Sequence, residues 1–114
     1  MDDCLFCKIV SGEIPSDRVF EDEEVYAFRD INPQAPTHVL IVPRKHIPSV
    51  ASLTGEDTAI SGKLVVAAAR VAETCGVADR GFRLVFNSGE DGGQSVGHLH
   101  LHLLGGRKLG WPPG

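Results

Sequence analysis

The run His98-Leu99-His100-Leu101-His102-Leu103-Leu104 alternates imidazoles with leucines at a strict period of two and holds three of the chain's five histidines. Successive side chains of a β-strand point to opposite faces, whereas a helix would scatter these histidines around its axis, so the pattern specifies a strand. The leucines then face a core. The histidines share the other face, with neighbours about 7 Å apart along an ideal strand. A half-buried strand with a polar working face is expected, and the rest of the chain must supply a sheet to hold it.

Cys4 to Ser11 reads as a short helix that Gly12 ends, and Pro15 forces an extended turn. Arg18 to Glu21 is a first strand and Asp22-Glu23 a turn. In the next strand Val25, Ala27 and Arg29 alternate with Tyr26, Phe28 and Asp30, and so short a link implies an antiparallel hairpin. Asn32-Pro33 and Ala35-Pro36 stop it. The run from His38 to Pro43 is almost continuously apolar, the mark of a strand covered on both faces. Thr54-Gly55-Glu56-Asp57 is a capping sequence, followed by Ile60, Leu64, Ala67, Ala68 and Val71 at helical steps until Gly76. Phe82 to Asn87 is a fourth strand, a glycine-rich loop runs from Ser88 to Gly97, and the histidine run is the fifth strand. Short links within each run of strands favour an α+β fold, a five-stranded antiparallel sheet with one long helix and a short N-terminal helix. At 114 residues the chain is expected to form one domain over 1–114.

With 42% hydrophobic and 23% charged residues, neither disorder nor a fibrous repeat is indicated. A net charge of −4 with dispersed Lys and Arg argues against a nucleic-acid polymer as partner, yet permits a single nucleotide held by local dipoles. Met1-Asp2-Asp3 is acidic and the apolar stretch after it is broken by Lys8, so neither a secretory signal nor a membrane span is expected, and the cytoplasm is the expected location. Three cysteines, with Cys4 and Cys7 in a C-x-x-C, point to reduced thiols or a metal site rather than a disulfide framework. Cys75 is expected as a buried helix residue.

Three readings of the histidine face stand open: a merely solvated polar face, a metal site, and nucleophilic catalysis by one imidazole with the others binding or moving protons. A single metal could take two of the three at most, because His98 and His102 are about 13 Å apart on an ideal strand. The loop Ser88-Gly89-Glu90-Asp91-Gly92-Gly93-Gln94-Ser95-Val96-Gly97 runs straight into this strand. Its backbone amides, with the Gln94 and Ser95 side chains, can form an anion-binding nest.

The histidine run, Asp30-Ile31-Asn32-Pro33-Gln34-Ala35-Pro36-Thr37-His38, Pro43-Arg44-Lys45-His46-Ile47, Asn87 with Asp91-Gly92-Gly93-Gln94-Ser95-Val96, and Gly105-Gly106-Arg107 through Trp111-Pro112-Pro113-Gly114 together span nearly the whole chain. On these residues the chain resembles the histidine triad (HIT) superfamily and, within it, the Hint branch of nucleoside phosphoramidases. The resemblance implies a HIT-like fold and hydrolysis of the P–N bond of nucleoside 5′-phosphoramidates of the adenosine type, with His100 as nucleophile and a covalent nucleotidyl-histidine. It implies catalytic partners in His102, His38 and Ser95. It implies Asp30 at the ribose hydroxyls, a purine slot of Phe6, Ile9, Phe28 and Ile31, and phosphate or ribose contacts from Asn87, Gly93 and Gln94. No cofactor is implied for catalysis. A homodimer is implied, whose tail, 105–114, carries Trp111 towards the partner's site. Cys4-Leu5-Phe6-Cys7 departs from the animal Hint pattern and is similar to bacterial relatives that bind zinc, which implies a structural Zn²⁺ on Cys4, Cys7, His46 and His98. C-x-x-C is also a redox motif, but the βαβ setting of such motifs is not seen in this chain. A dinucleoside polyphosphate hydrolase, a nucleotide-binding sensor with little turnover, and a metalloenzyme using the histidines directly are the alternatives.

Overall fold

The computed structural model describes residues 3–114; Met1 and Asp2 of the acidic start lie outside the described residues. Helix α1 spans Leu5–Val10, and its N-cap Cys4 accepts a hydrogen bond through Sγ from the Cys7 amide. Strands β1 (Arg18–Glu21), β2 (Val25–Arg29) and β3 (Thr37–Pro43) precede helix α2 (Thr58–Thr74), and β4 (Phe82–Phe86) and β5 (Leu101–Gly105) follow it. All pairings are antiparallel and the strand order is β1-β2-β3-β5-β4. The expected α+β architecture is the one observed.

The pleat divides the apolar residues between two layers. Val25, Ala27, Val39, Ile41, Leu101 and Leu103 pack with Leu64, Ala67, Ala68 and Val71 of α2. Tyr26, Phe28, Leu40 and Val42 face the other way and pack with Phe6 and Ile9 of α1. Hence every residue of β3 is buried, as its continuous hydrophobicity predicts. The capping sequence before α2 is in place one turn early. Thr54 and Asp57 cap a short 3₁₀ turn, Gly55–Asp57, from which α2 continues. Cys75 is the half-buried C-cap of α2 rather than a buried helix residue. No helix among the described residues is long and apolar enough to cross a membrane.

The histidine run departs from the expected strand in two respects. Ladder pairing of β5 begins only at Leu101, opposite Ile41 and Phe86, because β3 ends at Pro43, which has no N–H to offer. Residues 98–100 continue in line, with the Leu99 amide donating to Ile47 O at 2.6 Å, so the alternation persists and Leu99 joins the α2 core. The histidine face is also not solvated. α1 covers it, leaving His98 0% and His100 3% exposed.

Candidate active site

His38 on β3 and His102 on β5 are diagonal neighbours across one strand pair, since Leu40 lies opposite His102 and Leu104 opposite His38. Their rings meet with His38 Nε2 2.9 Å from His102 Nδ1. His100 is next along the run, its ring centroid 5.0 Å from that of His102. The edge-to-face packing of Phe6 on His98 and His100, at 6.0 and 5.1 Å, closes this row from the α1 side.

The hydrogen bonds assign a tautomer to each imidazole. Nδ1 of His100 lies 2.7 Å from the His98 carbonyl oxygen, which can only accept, so Nδ1 carries the proton and Nε2 keeps its lone pair. His38 Nδ1 accepts from the Gln34 amide at 3.1 Å, which places the His38 proton on Nε2 and directs it to His102 Nδ1. His102 therefore carries its proton on Nε2. One ring presents a nucleophilic lone pair and its neighbour a donor. Burial supports the neutral states of His38 and His102: it lowers the pKa of His38 against the opposing pull of Asp30, and brings His102 down to about 4, with His100 and His38 adding repulsion.

Beside these rings lies a cavity of about 260 Å³, walled by Phe6, Ile9, Phe28, Leu40, Asp30 and Ile31, and by Ser95 and Val96 where the glycine-rich loop arrives. His100 and His102 line it as well. Asp30 accepts the Asn32 amide on Oδ1 and holds Oδ2 3.5 Å from His38 Nε2, tying the pocket wall to the imidazole pair. Ile31 is fully exposed at the rim.

The other expected site residues stand apart from the cavity walls. Asn87 follows β4, and Trp111 is 82% exposed on a tail fastened where the Arg83 guanidinium donates to Gly110 O at 2.7 Å. Gln94 is spent on its own loop and on the segment after β3: Oε1 accepts from the Gly89 amide, and Nε2 donates to Val96 O and Pro48 O. The amides of Gly93 and Gln94 likewise bond within the loop, to Glu90 O and Gly89 O. Ser95 and Val96 line the cavity, and their amides donate to no described residue. Leu5, Ile14, Pro15, Ser16, Arg29 and Leu40 also line the pocket and were not foreseen. Leu40 was accessible from the pleat, as the partner of Phe28; the 14–16 segment carries no periodic signal.

A second cluster joins the start of the chain to the sheet. Nδ1 of His98 lies 3.4 Å from Cys4 Sγ, 3.5 Å from Cys7 Sγ and 3.2 Å from His46 Nδ1, which is itself 3.4 Å from Cys7 Sγ. Zn–S near 2.3 Å and Zn–N of about 2.0–2.1 Å give a tetrahedron with S–N edges of about 3.5 Å and N–N edges of about 3.3 Å. The three S–N separations and the N–N separation match that polyhedron, and all four donor atoms lie within 4.8 Å of one another. The outer nitrogen of His98 is held as a ligand's would be, with Nε2 donating to Pro43 O at 2.8 Å and Nδ1 left free for a cation. Asp30, His38 and His102 also converge, but the two facing ring nitrogens there are engaged with each other.

The HIT domain family model matches residues 11–109, and the chain belongs to that family. It is 50% identical over 109 residues to the purine nucleoside phosphoramidase of Escherichia coli (strain K12), covering 96% of this chain and 92% of that protein. An uncharacterized HIT-like protein of Synechocystis is 50% identical over 113 residues, 99% of this chain and 98% of the other. Among solved structures, the HIT family hydrolase of Legionella pneumophila superposes with a TM-score of 0.96 at 52% identity, covering 98% of this chain and all of that one. A histidine triad protein of Clostridium difficile gives 0.94 at 46%, with 96% of each chain covered. Fold, histidine row and relatives together make this chain an enzyme of the HIT family.

Proposed function

We propose that the chain hydrolyses the P–N bond of purine nucleoside 5′-phosphoramidates through a nucleotidyl-His100 intermediate. The observation that carries this reading is the His100 tautomer: a buried imidazole whose Nδ1–H is held by a carbonyl, which leaves the Nε2 lone pair free on a ring that lines an apolar slot. Its Nε2 attacks the α-phosphorus as the P–N bond breaks, and the amine leaves with a proton drawn from the His102–His38 pair. Water then attacks the same phosphorus and gives a proton back to the His102–His38 pair, the His100–P bond breaks, and the mononucleotide departs with all three imidazoles restored. One hard displacement becomes two easier ones. The Ser95 and Val96 amides and the Ser95 hydroxyl hold the phosphoryl oxygens where charge develops, Asp30 accepts from the ribose, and the purine enters between Phe6, Ile9, Phe28 and Ile31. The name of the Escherichia coli relative supports the substrate class.

Acid quenching after mixing with adenosine 5′-phosphoramidate should trap a nucleotidyl mass on the peptide that contains His100. His100→Ala should lose the adduct and at least about 10³-fold in kcat. Full turnover by that variant refutes the mechanism, and a faster burst with a dinucleoside polyphosphate would move the substrate to that class.

Zn²⁺ is the cation proposed for Cys4, Cys7, His46 and His98; four protein donors leave it no open position, so it ties chain segments together rather than acting on substrate. Elemental analysis of untagged protein should find one zinc per chain, and none in Cys4→Ser/Cys7→Ser. The reading also takes 1–114 as one domain acting in the cytoplasm as a homodimer, with the tail 105–114 carrying Trp111 to the partner's pocket.

A further inference from the structure

The segment before β1 supplies six of the pocket's walls: Leu5, Phe6, Ile9, Ile14, Pro15 and Ser16. Its helix, α1, has only six residues, too few to be stable alone, so its position depends on what fastens it to the sheet. Phe6 and Ile9 provide an apolar fastening in the second core layer. The Cys4 and Cys7 thiols, close to Nδ1 of His98 and His46, provide the other.

His98 belongs to both centres at once. Its ring is bound between the cysteine cluster and Pro43 O, while its own carbonyl oxygen receives the His100 Nδ1 proton at 2.7 Å. Phe6 stands between the cysteines in sequence and presses edge-on against the rings of both His98 and His100. A displacement of the cluster is thereby passed to the purine wall through Phe6 and to the candidate nucleophile through the 98 carbonyl.

We propose that the Cys4–Cys7–His46–His98 cluster, when it holds its cation, is the clamp that sets the nucleotide site: it docks α1 as the purine wall and keeps His100 turned with Nε2 into the pocket. His98 is then a positioning residue acting through His100, and Cys4 and Cys7 are positioning residues acting through Phe6. The inference rests on the nucleotide and zinc readings above.

The test compares Zn²⁺-loaded protein with chelator-stripped protein and with Cys4→Ala/Cys7→Ala. The readouts are adenosine monophosphate affinity by calorimetry, amide exchange over Leu5–Val10, and the His100 tautomer by long-range ¹H–¹⁵N correlation. If docked α1 falls to about a tenth of the population on stripping, apparent affinity falls about tenfold. Exchange over α1 should quicken while β3 and β5 stay protected, and the one-sided nitrogen pattern of His100 should average. Cys4→His, which restores four ligands, should recover all three with Zn²⁺. Unchanged affinity and an unchanged His100 pattern in folded, stripped protein would overturn the clamp. So would unfolding of the whole sheet on stripping, which marks a cation that merely holds the fold. If loaded protein fails to bind adenosine monophosphate, the nucleotide reading falls together with the affinity half of the clamp, and the exchange and tautomer arms still decide its mechanical half.

Discussion

Histidines 98, 100 and 102 share a residue type and a spacing but differ in what one nitrogen of each ring meets: Pro43 O for Nε2 of His98, His98 O for Nδ1 of His100, and His38 for Nδ1 of His102. Those partners, rather than the spacing, separate a ring aimed at two thiols from one offering a lone pair and one offering a proton. Burial has a measurable consequence at His102, whose pKa drops from the ordinary 6.5 to about 4. Between those values the unfolded chain binds a proton that the folded chain refuses, so stability rises with pH across this window and is lost as pH falls from 6.5 towards 4. His38, shifted in the same direction, adds to the slope. His102→Gln should flatten the pH dependence of the urea midpoint between pH 7 and 4.5. An undiminished slope would mean that the drop comes from other groups. The alternation of the run was visible in the sequence. The tautomers were not, because each depends on a donor or acceptor brought up by the fold, the Gln34 amide for His38 and through it His102, and backbone carbonyls for His98 and His100.

The glycine-rich loop was legible as a loop, but how few of its amides are left free for an anion was not. A nest needs successive amides free for an anion, and here those of Gly89, Gly93 and Gln94 are already bonded inside the loop. Its packing is tight: a Cβ on Gly92 would meet Ser88 O at 2.6 Å, so the backbone folds back on itself there. Gln94 is the fastener, and its three bonds hold Ser95 and Val96 at the cavity. Gln94→Ala should cost about 1–3 kcal/mol of stability and raise KM more than it lowers kcat. Thermal unfolding and steady-state kinetics measure the two effects, and a normal KM would deny the loop its positioning role. Helix α1 is a parallel case. Its Gly12 end can be read locally, but that Cys4 caps it rather than starting it, and that it lies over the histidines, follow only from the folded structure.

The whole molecule leaves β4 as a sheet edge, with Phe82 and Phe86 partly exposed along it. An unpaired edge beside apolar side chains is a surface that native proteins cover, and the proposed homodimer would cover it. Phe82→Glu, at a position 36% exposed on that edge, should leave the fold intact and raise the dimer dissociation constant about 100-fold, as read by sedimentation velocity at micromolar concentration. A wild-type monomer under those conditions would remove the dimer from the account. Periodicity and turn chemistry determined the elements, their antiparallel pairing and the two-sided burial of β3, because these are properties of neighbouring residues and of the backbone they share. Which histidine faces a thiol, which a carbonyl and which another histidine was decided by tertiary structure alone. Those contacts join residues as many as 94 positions apart, as Cys4 and His98 are, and only the closed sheet with α1 laid across it brings them within bonding distance.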